Sequence, residues 1–169
     1  FDRTDIGERV HFASAMTMLG HKDGDSYREG ASYLEIADFL ISGGAYVERD
    51  LQELWTRIAF NIMIANTDDH LRNHGFLLMD KGWILSPTFD LNPDENGTGL
   101  SLNISLTDNA LDLDLALEVI EYFRMDRDSG IRIIERLKET IRRWRKVAER
   151  YQLPGSEQDR MANAFERFI

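Results

Sequence analysis

The 169 residues amount to about one domain, enough to bury a sizeable core. With 30 acidic against 20 basic residues the formal net charge is −10, which argues against direct binding to a nucleic-acid backbone, and the absence of Cys excludes disulfides and thiolate metal sites. No apolar run approaches the roughly 20 residues that span a bilayer, and the charged start Phe1-Asp2-Arg3-Thr4-Asp5 is not a signal peptide, so a cytoplasmic protein with no membrane association is expected. A chain opening on Phe1 rather than Met reads as part of a longer one. The dense basic run Arg142-Arg143-Trp144-Arg145-Lys146 reads as the solvated face of a long helix rather than a nucleic-acid patch.

Up to residue 66 the apolar pattern is helical. Ile6, Val10, Ala13 and Thr17/Met18 predict a helix over Ile6 to Leu19, stopped by Gly20. Gly30 to Ile41 carries a second, with Ser32 three residues before Glu35 as a capping box and Gly43-Gly44 as terminator. Leu51 to Ala65 is apolar over so wide a surface that it reads as a buried central helix. The period then changes. Gly75 to Met79 and Trp83 to Leu85, separated by Asp80-Lys81-Gly82, predict an antiparallel hairpin. Ser86 to Ser105 is irregular, and helices resume over Asp112 to Phe123, Ser129 to Tyr151 and Ser156 to Phe168, the last with Ser156 and Asp159 as a capping pair. The expected fold is mainly α with one inserted antiparallel hairpin.

Chemistry concentrates in Asn66-Thr67-Asp68-Asp69-His70-Leu71-Arg72-Asn73-His74, where five of nine side chains are Asp, Asn or Thr, costly to bury without partners. A second polar segment, Ser86-Pro87-Thr88-Phe89-Asp90-Leu91-Asn92, follows the hairpin, so the hairpin should bring the two together. Phosphoryl transfer from Mg·ATP needs such a set: an Asp at the attacking hydroxyl, and an Asn and a second Asp on the cation. Protein kinases place the base Asp five residues before the Asn, the spacing of Asp68 and Asn73, and their metal Asp beside an aromatic, as Asp90 stands beside Phe89. By spacing alone, Asp68 and Asn73 serve equally well as residues that satisfy backbone groups in a turn. His70 and His74, four apart with Asp68 and Asp69, also suggest a transition-metal site, although Gly75 and the following strand place them in a loop.

Asn66-Thr67-Asp68-Asp69-His70-Leu71-Arg72-Asn73 resembles the N-T-D-x-H-x-K-N catalytic loop of the HipA family of serine/threonine kinases, and Leu85-Ser86-Pro87-Thr88-Phe89-Asp90-Leu91 its L-[ST]-P-x-[YF]-D-[LIV] metal segment. Phe1-Asp2-Arg3 resembles the end of the family's hinge stretch. The resemblance covers roughly residues 1 to 95, the rest matching only as a helical tail. It implies a kinase C-lobe over residues 1–169, with the nucleotide-gripping N-terminal lobe outside this chain. It further implies Asp68 as catalytic base, Asn73 and Asp90 as Mg²⁺ ligands, His70 and Arg72 near the ATP phosphates, and Phe89 and Phe1 at the nucleotide's edges. The family's known members are toxins that phosphorylate a serine in a protein, often an aminoacyl-tRNA synthetase, and pair with a helix-turn-helix antitoxin of the HipB type. Three departures stand out. Asp69 replaces a common Gly and adds negative charge next to the phosphate site. Arg72 replaces a common Lys, keeping the charge but not the geometry. No Gly-rich phosphate loop or nucleotide Lys lies within the chain, so it is expected to be inactive alone. A small-molecule phosphotransferase of the aminoglycoside-kinase type and a degenerate kinase fold serving as a binding or regulatory module remain open alternatives.

Overall fold

A computed structural model describes residues 2–169. The elements are β1 (Phe12–Ser14), α1 (Ala15–Leu19), α2 (Tyr33–Gly43), α3 (Val47–Met63), β2 (Gly75–Met79), β3 (Gly82–Leu85), α4 (Leu113–Glu118), α5 (Arg127–Ile141), α6 (Trp144–Arg150) and α7 (Gly155–Phe165), with single 3₁₀ turns at Tyr27–Glu29 and Ile120–Phe123. The expected mainly helical architecture is present, but the sheet has three antiparallel strands in the order β1-β2-β3.

The added strand overturns the helix expected over Ile6 to Leu19. Only Ala15–Leu19 is helical, while Phe12 pairs with Leu77 and Ser14 with Gly75. Long-range pairing outweighs the local helical pattern here because β2 offers an unpaired edge and Gly75 leaves room for the Phe12 ring. A Cβ at Gly75 would stand 2.1 Å from a carbon of that ring. Ser14 then caps α1 by accepting from the Thr17 amide.

α3 is the hub. Leu51, Leu54, Trp55, Ile58, Ala59 and Ile62 are fully buried between α2 on one side and α4 and α5 on the other. Each large apolar side chain so buried contributes roughly 1.5–3 kcal/mol. The Trp55 indole N–H is not wasted, donating to the Ala116 carbonyl at 2.9 Å. α2 begins with the expected capping box: Ser32 Oγ accepts from the Glu35 amide and Glu35 accepts from the Ser32 amide.

The C-terminal helices depart from expectation in two places. Ser129 to Tyr151 is not one helix. It starts two residues earlier, at Arg127, capped by Asp126, and breaks between Ile141 and Trp144. The break lets Trp144 stack on Phe165 of α7, with ring centroids 4.8 Å apart and planes 17° from parallel. The Ser156–Asp159 capping pair does not form. α7 opens after Pro154 with no side-chain cap, and Asp159 pairs instead with Arg145.

Candidate functional site

The chain leaves α3 through Ala65, whose φ of 50° is the left-handed conformation rare for a residue with a Cβ. That bend turns Asn66 to His74 back across the end of α3 as an irregular loop. The loop is held on several sides. Asp94 donates its amide to the Ala65 carbonyl at 3.0 Å, Thr67 Oγ1 donates to Asp94 Oδ2 at 3.0 Å, and Ser101 Oγ donates to the Thr67 carbonyl at 2.7 Å. Gly97 packs so closely that a Cβ there would lie 2.4 Å from Thr67 Cγ2.

Within the loop, consecutive acids take opposite directions. Asp68 is exposed and lines a cleft of about 260 Å³ together with His70, Arg72 and the loop Lys22 to Ser26. Asp69 is only 2% exposed. Its Oδ2 accepts from Tyr33 Oη at 2.5 Å, Asn61 Nδ2 at 2.7 Å and His74 Nε2 at 2.9 Å. Burial pushes the Asp69 carboxyl upward, but the charge and hydrogen bond of His74 and the Tyr33 hydroxyl outweigh it, and the net shift is below its ordinary value. The Tyr33 hydroxyl is pushed well above its ordinary value by burial and by the Asp69 charge beside it. Asp69 therefore does not add charge to the cleft as its place in the motif suggests, because three buried donors draw it into the core.

Asn73 is buried, and its amide nitrogen donates to the main-chain carbonyl of Asp68 at 3.1 Å. The segment after the hairpin is tied to the same region. The Ser86 amide donates to the Gly75 carbonyl at 2.8 Å, Arg57 Nη2 donates to the Ser86 carbonyl at 2.7 Å, and the Asn92 amide donates to Asn66 Oδ1 at 3.3 Å. Asp90 is exposed, with φ at 57°, a conformation Asp tolerates better than most residues, and its Oδ1 accepts from Asn92 Nδ2 at 2.6 Å. Phe89 lies edge-on to Phe12, ring centroids 6.4 Å apart. Asp68, His70 and Arg72 thus share one cleft, while Asn73, Phe89 and Asp90 do not line it. Phe1, expected at the nucleotide's edge, lies outside the described residues.

The cations of the loop have partners. Arg72 forms an ion pair with Asp23 and donates to His70 Nε2 at 3.1 Å. The rival His70–His74 metal pair does not form, since His70 faces Arg72 while His74 is buried against Asp69. Among the described residues no group of three or more His, Cys, Asp or Glu side chains is arranged to hold a metal ion. A Mg²⁺ bound with a nucleotide needs fewer protein ligands, one or two carboxylates and the phosphates themselves. Asn73 and Asp90 fit that role chemically. With its nitrogen committed to Asp68, Asn73 keeps its Oδ1 as an acceptor, and Asp90 keeps Oδ2 beside the oxygen taken by Asn92.

Several residues that build the site are absent from the sequence-level reading. On α3, Asp50, Arg57 and Asn61 are buried and, at spacings of seven and four, fall on one face. Asp50 accepts from the Leu85 amide at 2.9 Å, Arg57 holds the Ser86 carbonyl, and Asn61 holds Asp69. That polar stripe along the otherwise apolar buried side of α3 is visible in the sequence, whereas Tyr33 and Asp23 reach the loop from distant segments and carry no local signal. His21, which has no partner nearby in sequence to signal a role, bridges Asp25 and Glu35 at 3.1 Å each.

The chain belongs to the HipA-like C-terminal domain family, whose profile matches residues 1–164. Among solved structures it is similar to HipA of Shewanella oneidensis MR-1, determined in complex with HipB and operator DNA. The TM-score is 0.76 at 20% identity, covering 99% of this chain and 45% of that one. The chain therefore spans less than half the length of that relative. No curated protein matches the sequence.

Proposed function

We propose that this chain is the catalytic-loop half of an ATP- and Mg²⁺-dependent protein serine/threonine kinase, with Asp68 as the base. The observation that carries the reading is the opposed placement of Asp68 and Asp69: one carboxylate stands free at a cleft while its neighbour is bound into the core. Asp68 accepts the proton of the attacking serine hydroxyl, or orients that hydroxyl by hydrogen bonding. Asn73 steadies the Asp68 backbone and, with Asp90, would hold the cation. When bound with the nucleotide, Mg²⁺ neutralises charge on the phosphates. His70 and Arg72 stand beside Asp68 as the groups that meet the transferring phosphate, and Arg72 is kept in the cleft by Asp23 until a phosphate competes for it. Phe89 and Phe1 would flank the nucleotide.

Transfer depends almost wholly on positioning and charge stabilisation. These 169 residues supply the base and cation ligands but no Gly-rich loop to cradle phosphates, so a small N-terminal lobe must contribute that part and this chain alone transfers no phosphate. By analogy with the Shewanella complex, a HipB-type antitoxin is the proposed partner. A protein serine, as on an aminoacyl-tRNA synthetase, is the acceptor that the family resemblance of the catalytic loop suggests. Radiolabel transfer from ATP, measured for this chain and for the full-length protein, tests the reading. Transfer to a protein only in the full-length form is expected. Transfer to small aminoglycoside-like acceptors would assign the other phosphotransferase class, and tight partner binding with no transfer by the full-length protein would assign a binding module.

A further inference from the structure

We propose that Asp69 is a positioning residue that aims Asp68, acting through the backbone the two residues share and never touching substrate. The inference rests on the kinase reading above. Three donors from three different places converge on one Asp69 oxygen: Tyr33 from the start of α2, Asn61 from the last turn of α3, and His74 from the end of the loop itself. A carboxylate so held has no freedom to rotate, and ionised acceptors make the stronger hydrogen bonds. The peptide between Asp68 and Asp69 is therefore fixed from the inside, while the Asn73 amide fixes the Asp68 carbonyl at 3.1 Å. The main chain of Asp68 is thus held at its carbonyl by Asn73 and next to it by Asp69, while its side chain stays at the cleft.

The same network runs on to the return segment. Asn61 Oδ1 accepts from Asn66 Nδ2 at 3.1 Å, Asn66 Oδ1 accepts from the Asn92 amide at 3.3 Å, and Asn92 Nδ2 donates to Asp90 Oδ1 at 2.6 Å. An unbroken chain of hydrogen bonds thus joins Asp69 to Asp90 through three asparagines on three segments. One buried anion sets both the base and the residue proposed for the cation. The side-chain amides of Asn61 and Asn66 suit their relay positions because each donates on one side and accepts on the other, while Asn92 donates at both ends, from its main-chain N–H and from Nδ2.

The test is kinetic and uses the full-length protein with ATP and its protein acceptor, with active sites titrated so that only folded enzyme is counted. Asp69→Asn keeps the size of the side chain but removes its charge. It is expected to lower kcat by about tenfold or more while leaving KM for ATP within about twofold, the pattern of lost alignment rather than lost binding. In an Asp68→Asn background the same change is expected to cost nothing further, because a residue that works only through Asp68 has nothing left to position. A merely structural Asp69 would reduce the folded fraction without changing kcat per active site, and its effect would add to that of Asp68→Asn. Either result overturns the proposal. Should Asp69→Asn not fold, Tyr33→Phe removes one of the three donors from a hydroxyl alone. A several-fold fall in kcat at unchanged KM supports the proposal, and unchanged kcat overturns it. If Asp68→Asn itself retains full activity, the kinase reading fails, and the positioning role falls with it. If Asp68→Asn is inactive and Asp69→Asn is normal, only the positioning role fails.

Discussion

Asn73 donates its side-chain amide to the main-chain carbonyl of Asp68 at 3.1 Å, closing the span between the two residues into a loop whose polar ends are both committed. The spacing of these residues is therefore not incidental: an amide at that distance along the chain can reach back to the carbonyl of the acid while keeping its own oxygen for a cation.

For the base and the proposed cation ligands, the expected outcomes separate. In the full-length protein Asp68→Asn should reduce phosphate transfer by about 10²-fold or more, the usual worth of a general base, while calorimetric ATP affinity is largely retained. Asp90→Asn should weaken ATP binding in the presence of Mg²⁺ and have little effect in its absence. Equal loss of nucleotide affinity in both variants would mean that the two acids do not divide the work in this way.

If Arg72 meets the phosphates as proposed, Asp23, its ion-pair partner, competes with them for it. Both side chains of this pair are largely exposed, and pairs of that kind contribute about 0–1 kcal/mol, so a polyphosphate can displace Asp23 readily. Asp23→Ala should leave the thermal midpoint nearly unchanged and tighten nucleotide binding at low salt, with the gain shrinking as salt rises. Arg72→Ala should weaken binding regardless of Asp23.

The loop that carries Asp23 is pinned by His21, and its hold should depend on pH. Hydrogen bonding to Glu35, opposed by burial and reinforced by Asp25, raises the His21 pKa above its ordinary value of 6.5. The stabilisation is then fully present below 6.5 and is lost as pH rises through the higher folded value. Asp25 is shifted the other way, first by the Lys22 amide and then by His21, so its contribution is present above its ordinary 3.8 and is lost as pH falls through the lower folded value. Protection of the amides of residues 21–26, relative to their intrinsic exchange rates, should be highest between these limits and fall once pH exceeds the raised His21 value, and His21→Gln should remove the alkaline part of the change.

Gly130 reports on the core beneath the site. A Cβ there would lie 2.4 Å from Ile120 Cδ1, 2.9 Å from Leu117 Cδ2 and 3.1 Å from Trp55 Cη2. Overpacking against a buried indole gives little room to relax, so Gly130→Ala should destabilise by about 1–3 kcal/mol, read as a lower urea midpoint at unchanged slope.

The sequence makes legible the apolar side of α3, the capping box of Ser32 and Glu35, the hairpin after residue 74 and the two polar segments that flank it, because each is written in local periodicity or short-range hydrogen bonding. It also carried the motifs that resemble the HipA family, and so the assignment that the family profile bears out. Which way each polar residue turns is set by contacts distant in sequence. Asp68 and Asp69 are adjacent and chemically identical, and no local rule distinguishes them. Tyr33 and Asn61, 36 and 8 residues away, draw Asp69 inward and leave Asp68 at the cleft. The same holds for Phe12 to Ser14, whose helical pattern gave way to an edge of β2 more than 60 residues further along. Hydrogen-bond partners distant in sequence, and the cost of burying a carboxylate without them, settled what periodicity could not.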